Sequence, residues 1–325
     1  MIYRKIPAYM AGLGAYSPSR VITNEEISPG DGRTLERLLG VKERRGAAED
    51  EACSDLIVTA AQKVLESAGV SPLELDRIIV SATPGDFFEP TTASVVQTKL
   101  GAQCPAIDVK MSCVGWLAGV DLALRCVATG EKNVLVMAGT IVSKGDVFKR
   151  PLHRAIFGDG AGGCLISATD NGTARFLSGA LWTDGQFFAK INLPHPGSLH
   201  PQEIPEEFRG KFYMGPQRIF FDTLGAVTPV FIGSVLKEAE VAREDLDLVV
   251  LHQPSRPLFE VALKALDVPR EKVVDNFETQ GNTISAELPI ALDRYVREGR
   301  IKRGDTILLA TFGAGFNAGA TVMEY

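Results

Sequence analysis

The feature that most constrains the fold is that one order of helix-like and strand-like segments occurs twice in the chain. The first copy reads as a helix at 55–68, a strand at 75–84, a helix at 91–100, a strand at 105–111, a helix at 113–129 and a strand at 133–139. The second copy reads as a helix at 227–240, a strand at 246–254, a helix at 257–266, a strand at 271–277, a helix at 282–298 and a strand at 306–315. Alternating helices and strands of this kind predict a layered α/β fold.

The two copies keep a nearly constant offset. Cys113 and Asn282 are 169 positions apart, and so are Gly130 and Gly299. A constant offset over several elements is hard to obtain by accident. We therefore predict two copies of one α/β unit that are related by internal pseudosymmetry.

The predicted halves are residues 1–170 and 171–325. Cys113 and Asn282 each follow a strand and start a helix, one in each half. Equivalent loops of pseudosymmetric halves tend to meet at the shared boundary, so we expect these two residues to lie close together. The segment 170–215 between the copies is rich in Gly, Pro and polar residues, which predicts a linker and a substrate-side insertion without regular structure.

Cys113 is the candidate nucleophile. In "SCVGWLAGVDLAL" it stands at a turn that leads into a helix, whose N-terminal N–H groups and dipole favour an anion such as a thiolate. The plain alternative for a free cysteine is a small buried hydrophobe, and it applies to Cys104, Cys126 and Cys164. The five cysteines form no C-x-x-C pair, so we expect no disulfide framework, no zinc site and a reducing, cytoplasmic compartment.

His252 and Asn282 are the other candidates. His252 ends the strand in "LDLVVLHQPS", and α/β folds usually bind ligands at the carboxyl ends of strands. The plain alternative is a hydrogen-bonded histidine at a strand end. Asn282 follows Gly281 at the start of a predicted helix, where it is either an N-cap or a hydrogen-bond donor to a developing oxyanion.

The remaining histidines indicate no metal site. His153, His195 and His200 fall in predicted loops, and no carboxylate or cysteine pattern completes a ligand set around them. We therefore predict that the chain binds no metal.

Composition and the glycine-rich runs exclude further classes. The net charge of −6 argues against nucleic-acid binding. The sequence contains no run of eighteen apolar residues, so we predict no membrane span. The first 21 residues lack the apolar core of a signal peptide, so we predict no signal peptide. The glycine runs "GDGAGG" and "FGAGFNAG" are each followed by a strand-like segment rather than a helix. They fail the context test of a dinucleotide fingerprint, so we predict no NAD and no other cofactor.

Five motifs occur together in this chain: "SCVGW", "IFGDGAGGCLI", "LHQPS", "QGNTISAELPIAL" and "TFGAGFNAGA". Cys113 precedes His252 by 139 residues, and His252 precedes Asn282 by 30 residues. In order and spacing the chain resembles β-ketoacyl-acyl-carrier-protein synthase III and its relatives in the thiolase superfamily, nearly from end to end. The resemblance implies a thiolase-like, five-layered αβαβα fold made of two pseudosymmetric halves, usually as a homodimer.

The resemblance also implies a reaction, the decarboxylative Claisen condensation of fatty-acid or specialised-metabolite synthesis. Cys113 would take an acyl group from acyl-coenzyme A or an acyl-acyl-carrier protein. Its backbone N–H and that of Ala314 would form the oxyanion hole. His252, expected to be neutral, and Asn282 would then donate hydrogen bonds to the enolate made from malonyl-acyl-carrier protein.

Further positions are implied to bind substrate. Phe312 would lie over the cysteine as a gate, and Phe220 would line the acyl channel. Glu89 in "FFEP" stands where the family usually has an apolar residue that shapes the acyl pocket. Alternatively, the alignment shifts by one position and Phe88 is that apolar residue.

The remaining departures concern the acyl donor. Ser255 replaces the asparagine that usually follows the histidine by three positions, and the arginine that helps to dock carrier protein is displaced to Arg256. Thr34 stands where the family has a tryptophan that stacks on the adenine of coenzyme A. The donor therefore stays open between coenzyme A and a carrier protein.

Two other functions stay open at this point. On the same scaffold, an acyltransferase would pass the Cys113-bound acyl group to an alcohol or amine, with His252 as general base. An asparagine at 282 argues against this alternative, because an aspartate would support a base better. A non-catalytic partner subunit is the third hypothesis, and the intact set of Cys113, His252 and Asn282 argues against it.

Overall fold

Strands that are buried on both faces dominate the structure, a computed structural model that describes residues 2–4, 6–145, 147–170, 174–192, 204–208, 210–215 and 217–325. Strand Gly160–Ser167 is buried at every position, and strands Asn133–Thr140 and Thr306–Gly313 are buried at every position but the first. Such strands occur where helices cover both faces of a sheet. In this chain, helices alternate with strands along the sequence and can cover both faces of a sheet.

The helices and strands of the described residues have the following bounds. The helices are α1 (Asn24–Ile27), α2 (Gly32–Leu39), α3 (Cys53–Ala68), α4 (Thr92–Leu100), α5 (Gly115–Ala128), α6 (Pro151–Ile156), α7 (Gln217–Ala239), α8 (Arg256–Leu266), α9 (Phe277–Gln280) and α10 (Glu287–Arg297). The strands are β1 (Ile2–Arg4), β2 (Tyr9–Tyr16), β3 (Arg20–Thr23), β4 (Glu43–Gly46), β5 (Arg77–Thr83), β6 (Ala106–Asp108), β7 (Asn133–Thr140), β8 (Gly160–Ser167), β9 (Ala174–Thr183), β10 (Ile191–Asn192), β11 (Tyr213–Met214), β12 (Leu248–Leu251), β13 (Thr306–Gly313) and β14 (Asn317–Glu324).

The long strands form two sheets that are joined at one place. The N-terminal sheet has the order β2-β8-β7-β5-β6, and the C-terminal sheet has the order β12-β13-β14-β9, with β1 beside β9. They join where Tyr9 and Met10 of β2 pair with Arg175 and Ala174 of β9. In each sheet a parallel pair, β5–β7 or β12–β13, continues into an antiparallel pair, β7–β8 or β13–β14. The two sheets thus repeat one pairing pattern.

Three hydrophobic cores stack these sheets and helices into five layers. Helices α3 and α4 cover the outer face of the N-terminal sheet. Helices α5 and α10 lie between the sheets, where Val120 and Leu292 are buried among residues of both. Helices α7 and α8 cover the outer face of the C-terminal sheet. The order is helix, sheet, helix, sheet, helix, which confirms the predicted αβαβα fold.

A pair of aspartates shows the pseudosymmetry in its hydrogen bonds. Asp76, just before β5, accepts from the backbone N–H groups of Lys132 at 2.7 Å and Asn133 at 2.9 Å. Asp247, just before β12, accepts from the backbone N–H of Thr306 at 2.8 Å. Each carboxylate therefore ties the start of one strand to the start of its parallel neighbour.

The segment 170–215 differs from expectation. It contains β9, ten residues long, which pairs with β14 along its length and with β1 and β2 on the other side. The small residues Ser178, Gly179 and Ala180 are all buried in it, so the alternation of buried and exposed positions in the first half of the strand stops there. Its partners are distant in sequence, and the expectation of no regular structure was wrong for these residues.

Two other elements differ from the bounds predicted from the sequence. The strand predicted at 271–277 is reduced to a single bridge between Val273 and Val249, because the chain turns into α9 from Phe277. Helix α7 begins at Gln217, ten residues before the predicted start, and includes Pro229 in its interior. Proline lacks an N–H and is unfavourable inside a helix, so the sequence pattern favoured a later start.

Helix α7 is also apolar. Among the residues that the structure describes, the stretch Arg218–Ala239 alone is long and apolar enough to cross a membrane by length and composition. Its residues Phe220, Leu224 and Ile232 pack into the core beneath the C-terminal sheet. Because this packing accounts for the apolar character of one helix face, the helix is weak evidence for a membrane span.

Candidate functional site

Cys113 lies in a short turn of 3-10 helix, Ser112–Val114, that leads directly into α5. Its side chain is partly accessible, and its carbonyl oxygen accepts a hydrogen bond from Thr311 Oγ1 at 3.2 Å. A Cβ atom added at Gly313 would lie 3.0 Å from Cys113 Cβ and 3.1 Å from its backbone nitrogen. The end of β13 therefore touches the cysteine, and a side chain larger than that of glycine would force the cysteine to shift by a few tenths of an ångström.

His252 immediately follows β12 and reaches the same region from the C-terminal half. It is 2% exposed, and its backbone N–H donates to the carbonyl of Ala310 at 2.9 Å. Its Nδ1 lies 2.6 Å from Oε2 of Glu287, and both side chains are 1% exposed. At this distance the carboxylate and the ring form a buried salt bridge through a hydrogen on Nδ1.

Two neighbouring groups set the pKa of His252. Burial lowers the pKa of its imidazole, but the nearby Glu287 carboxylate and the sulfur of Cys113 outweigh burial and raise that pKa to about 10. This raised pKa favours a charged ring. The carboxylate argues against the neutral histidine that the resemblance implied, and the sequence pattern did not reveal it.

Asn282 is held by backbone contacts with the first half. Its N–H donates to the carbonyl of Ile156 at 2.9 Å, and its carbonyl accepts from Gly158 N–H at 3.1 Å. Its side-chain Oδ1 accepts from the N–H of Ile284 at 2.7 Å. This bond occupies the oxygen of the carboxamide, so the Nδ2 group remains available to donate to a ligand.

The turns that carry Cys113 and Asn282 meet at the starts of the two central helices. Ser285, in the turn after Asn282, shares a 3.3 Å hydrogen bond between hydroxyl groups with Ser81. Gly115, the first residue of α5, lies against the same two serines. The structure therefore brings the predicted residues into one region between the halves. The N-termini of α5 and α10 both face it.

Phe220 and Phe312 lie on the C-terminal side of this region. Both are buried, and each contacts Phe316, with ring centroids 5.4 Å apart for Phe220 and 6.2 Å apart for Phe312. Ala314 lies in the turn between β13 and β14, and its carbonyl accepts a short hydrogen bond from Asn317 Nδ2. The cluster of Phe220, Phe312 and Phe316 can form the apolar wall of an acyl pocket.

Phe88 and Glu89 are not part of the buried site within one chain. Both are exposed between β5 and α4, and Phe88 is 76% accessible. Contact with bound substrate would require another surface to cover them, and their substrate role stays a prediction.

Ser255 and Arg256 lie at the start of α8. Arg256 forms an ion pair with Asp275, with a closest distance of 2.5 Å. Burial raises the pKa of Asp275, but hydrogen bonds and charge from Arg256 and Arg270 outweigh burial and hold that pKa below its ordinary value. The guanidinium of Arg256 is thus already paired, and a docked carrier protein would have to share or replace this partner.

Glu287 is the site residue that sequence reasoning missed. It is the first residue of α10, where an acidic side chain has an ordinary explanation as a favourable charge near a helix N-terminus. Its burial and its distance from His252 became evident in the structure. The available signal was an acidic residue at the start of a predicted buried helix, five positions after Asn282.

The residues described contain no group of three or more His, Cys, Asp or Glu side chains that could hold a metal ion. His153, predicted in a loop, lies instead in helix α6; it is buried beside Phe212, and burial together with Arg150 lowers its pKa. His195 and His200 lie outside the described residues. A cleft of about 380 Å³ lined by Lys63, Asn276 and Arg294, among others, includes none of the predicted site residues.

Comparisons with known proteins match this chain over its whole length. Residues 107–185 match the family 3-oxoacyl-[acyl-carrier-protein (ACP)] synthase III, and residues 236–325 match the C-terminal domain of the same synthase. Residues 39–141 match the N-terminal domain of thiolase.

Individual relatives agree. The β-ketoacyl-[acyl-carrier-protein] synthase III of Methylococcus capsulatus is 34% identical over 97% of this chain and 98% of its own length. That of Caldanaerobacter subterraneus is 34% identical over 99% of this chain and 98% of its own. The solved structure of the Thermus thermophilus synthase is 30% identical with a TM-score of 0.87, covering 98% of this chain and 99% of its own. A structure of OleA from Xanthomonas campestris, 23% identical with a TM-score of 0.87 over 99% of this chain and 98% of its own, shares the fold.

Proposed function

Because this chain belongs to the β-ketoacyl-acyl-carrier-protein synthase III family of condensing enzymes, we propose that it joins a Cys113-bound acyl group to a malonyl thioester with loss of CO₂. The product would be a β-ketoacyl thioester, in fatty-acid or specialised-metabolite synthesis. The observation that carries the proposal is that His252 lies beside Cys113, and that the turn of Cys113 contacts the turn after Asn282 near the starts of α5 and α10.

In the first half-reaction Cys113 accepts the acyl group. Its thiolate attacks the thioester carbonyl and releases the carrier thiol. The backbone N–H groups of Cys113 and Ala314 are the proposed oxyanion hole, because the β13 end touches the cysteine at Gly313. The helix dipole of α5 adds favourable potential for the thiolate at its N-terminus.

In the second half-reaction the site stabilises an enolate. Decarboxylation of the malonyl thioester leaves a negative oxygen, and His252 and Asn282 are the proposed donors to it. Two features support these roles: His252 Nε2 is buried on the side of the ring that faces Cys113, and Asn282 Oδ1 is held by Ile284. The enolate carbon then attacks the acyl group on Cys113.

The acyl chain and carriers have proposed places too. Phe220 and Phe312 would line the acyl pocket through their cluster with Phe316. The acyl donor would be acyl-coenzyme A or an acyl-acyl-carrier protein, and the extender would be malonyl-acyl-carrier protein. We further propose a cytoplasmic homodimer that uses no metal and no cofactor.

The test separates acylation from condensation. Cys113→Ser should abolish the acyl adduct seen by intact-protein mass spectrometry after exposure to acyl-coenzyme A and acyl-carrier-protein panels. Cys126→Ser is the matched control, since Cys126 lies on the same helix away from the contacts of Cys113, and it should keep the adduct. Asn282→Ala should keep acylation and lose the condensed product. Condensation at the wild-type rate by Asn282→Ala would contradict the assignment of the enolate donor.

Transfer of the acyl group to an alcohol or amine is the second candidate. It would need His252 as a general base, and a carboxylate beside a histidine orients such a base, but the raised pKa of the ring argues against proton uptake at neutral pH. The family match favours condensation instead. Product analysis decides between them, since a new carbon–carbon bond marks condensation and an ester or amide marks transfer.

A further inference from the structure

Glu287 and His252 form a buried pair that is fixed on both sides. Glu287 Oε2 lies 2.6 Å from His252 Nδ1, and Glu287 Oε1 accepts from the backbone N–H of Gln253 at 2.9 Å. The carboxylate is thus anchored to the end of β12 as well as to the imidazole. A buried charge without a partner is costly, so this carboxylate needs the proton on the ring.

The position of the carboxylate decides which protons the ring can carry. An ionised carboxylate only accepts hydrogen bonds, so Nδ1 must hold a hydrogen. A neutral ring would then have a bare Nε2, which accepts but cannot donate. Only the doubly protonated ring donates from Nε2, the nitrogen on the side of the ring that faces Cys113.

Two titratable groups face His252 from the elements packed against it. Glu287 comes from the start of α10, and Cys113 comes from the turn before α5. Burial opposes the charge of the ring, and both groups favour it while the cysteine is a thiolate. Once Cys113 carries an acyl group its sulfur is neutral, and Glu287 alone keeps the ring charged.

We infer that Glu287 is a positioning residue that keeps His252 doubly protonated, so that an imidazolium rather than a neutral imidazole donates to the enolate oxygen. The inference rests on the proposed condensation for its enolate. It makes Glu287 part of the second half-reaction although it touches no substrate.

The protons balance in this scheme. When Cys113 attacks the acyl thioester, its S–C bond forms, the carrier S–C bond breaks, and the carrier thiolate takes the Nε2 proton of His252. Solvent then returns one proton to Nε2. Decarboxylation breaks the C–C bond of the malonyl group, and the enolate carbon bonds to the acyl carbon as the bond to Cys113 breaks. Thiolate and imidazolium are restored, and each turnover consumes one proton.

The first experiment reads the charge directly. The chain has four histidines, so protein labelled with ¹³C and ¹⁵N in histidine gives few ring signals, and His252→Asn assigns the signal of interest. In the wild type we expect the His252 ring to stay doubly protonated at pH 8, and its neutral form at higher pH to keep the hydrogen on Nδ1. Glu287→Gln should lower its titration midpoint by about one to three pH units. Glu287→Asp, which keeps the charge, should restore most of the shift.

The second experiment follows condensation alone. Enzyme acylated by octanoyl- or acetyl-coenzyme A at pH 7 is mixed with malonyl-acyl-carrier protein between pH 7 and pH 10, and one turnover is timed. In the wild type the rate constant should fall about tenfold per pH unit once His252 loses its proton. In Glu287→Gln the amide oxygen still accepts from Gln253 N–H, so the NH₂ group faces Nδ1. Nδ1 must then accept, and the neutral ring keeps its hydrogen on Nε2. The fall in rate with rising pH should therefore disappear. The rate at pH 7 should be about tenfold lower because a neutral donor is weaker.

The outcomes separate the inference from the proposed function. A wild-type His252 that is neutral at pH 7.5 overturns the inference, whether or not Glu287→Gln folds. A wild-type condensation rate that stays constant while His252 titrates also overturns it. If no acyl-carrier combination gives a carbon–carbon product, the proposed condensation fails, and the resonance titration still decides the charge of the ring.

Discussion

Substitution of Gly313 tests the contact that places the oxyanion hole. In Gly313→Ala the new Cβ would lie 3.0 Å from Cys113 Cβ and 3.1 Å from its backbone nitrogen, whereas ordinary contacts are 3.4–4 Å. The backbone of Cys113 must therefore give way by a few tenths of an ångström. The φ angle of Gly313 is not in the left-handed region, so alanine causes no backbone strain there. Any loss of activity or stability would therefore come from the contact with Cys113.

The magnitude follows from this displacement. A misplacement of about 1 Å in a reacting group can cost about a hundredfold in rate, so a few tenths should cost about tenfold in the acylation of Cys113. Overpacking should cost about 1–3 kcal/mol of stability, which for a chain of this length lowers Tm by roughly 2–4 °C. Gly185→Ala is the matched control, because a Cβ there meets nothing within 4 Å.

The assay is stopped-flow or quenched acylation followed by intact-protein mass spectrometry, with Tm measured on the same samples. Gly185→Ala should match the wild type in both. Gly313→Ala protein that is folded and acylated at the wild-type rate would refute the reasoning that β13 supports the cysteine.

Three further predictions concern stability and reactivity. Asp159→Asn should lower the free energy of unfolding in urea by about 1–3 kcal/mol, because the fully buried carboxylate accepts from three backbone N–H groups and an amide NH₂ would face at least one of them; an unchanged denaturation midpoint would contradict this. The pKa of Asp275 is held below its ordinary value, so its stabilisation is present above about pH 4 and is lost as pH falls through the lowered value. Asp275→Asn should therefore be less stable than the wild type at pH 6, and this difference should shrink as the pH falls below about 4; a constant difference would argue against it. Iodoacetamide at pH 7.5 should label Cys113 well before Cys164, whose burial raises its pKa, as peptide mass spectrometry would show; simultaneous labelling of the native protein would count against the described burial.

The parts of the fold that sequence predicted correctly are those with local signals. The helix after Cys113, the helix after Asn282 and the strands at 133–139 and 306–315 occur as expected, because each is an apolar run bounded by a turn. The repeat then implied that the two turns meet, and the paired starts of α5 and α10 agree with this. The domain boundary between residues 170 and 171 stays a prediction.

The errors arose where partners are distant in sequence. Strand β9 is built from small residues and depends on pairing with β14, about 140 positions later, which no local pattern reveals. Glu287 looks like an ordinary helix-start acid until His252, 35 positions earlier, is placed beside it. Val273 shows the opposite error, since an apolar run of the right length made a single bridge instead of a strand.

The two central helices begin at the same place, and this arrangement sets the electrostatic potential of the region before any substrate arrives. Each helix start contributes roughly half a positive charge, and that of α10 offsets part of the charge of the Glu287 carboxylate, its first residue. A thiolate, a malonyl carboxylate and an enolate would each enter the same attractive field in turn. Small anionic inhibitors should therefore compete with both half-reactions, and neutral analogues of the same shape should bind more weakly.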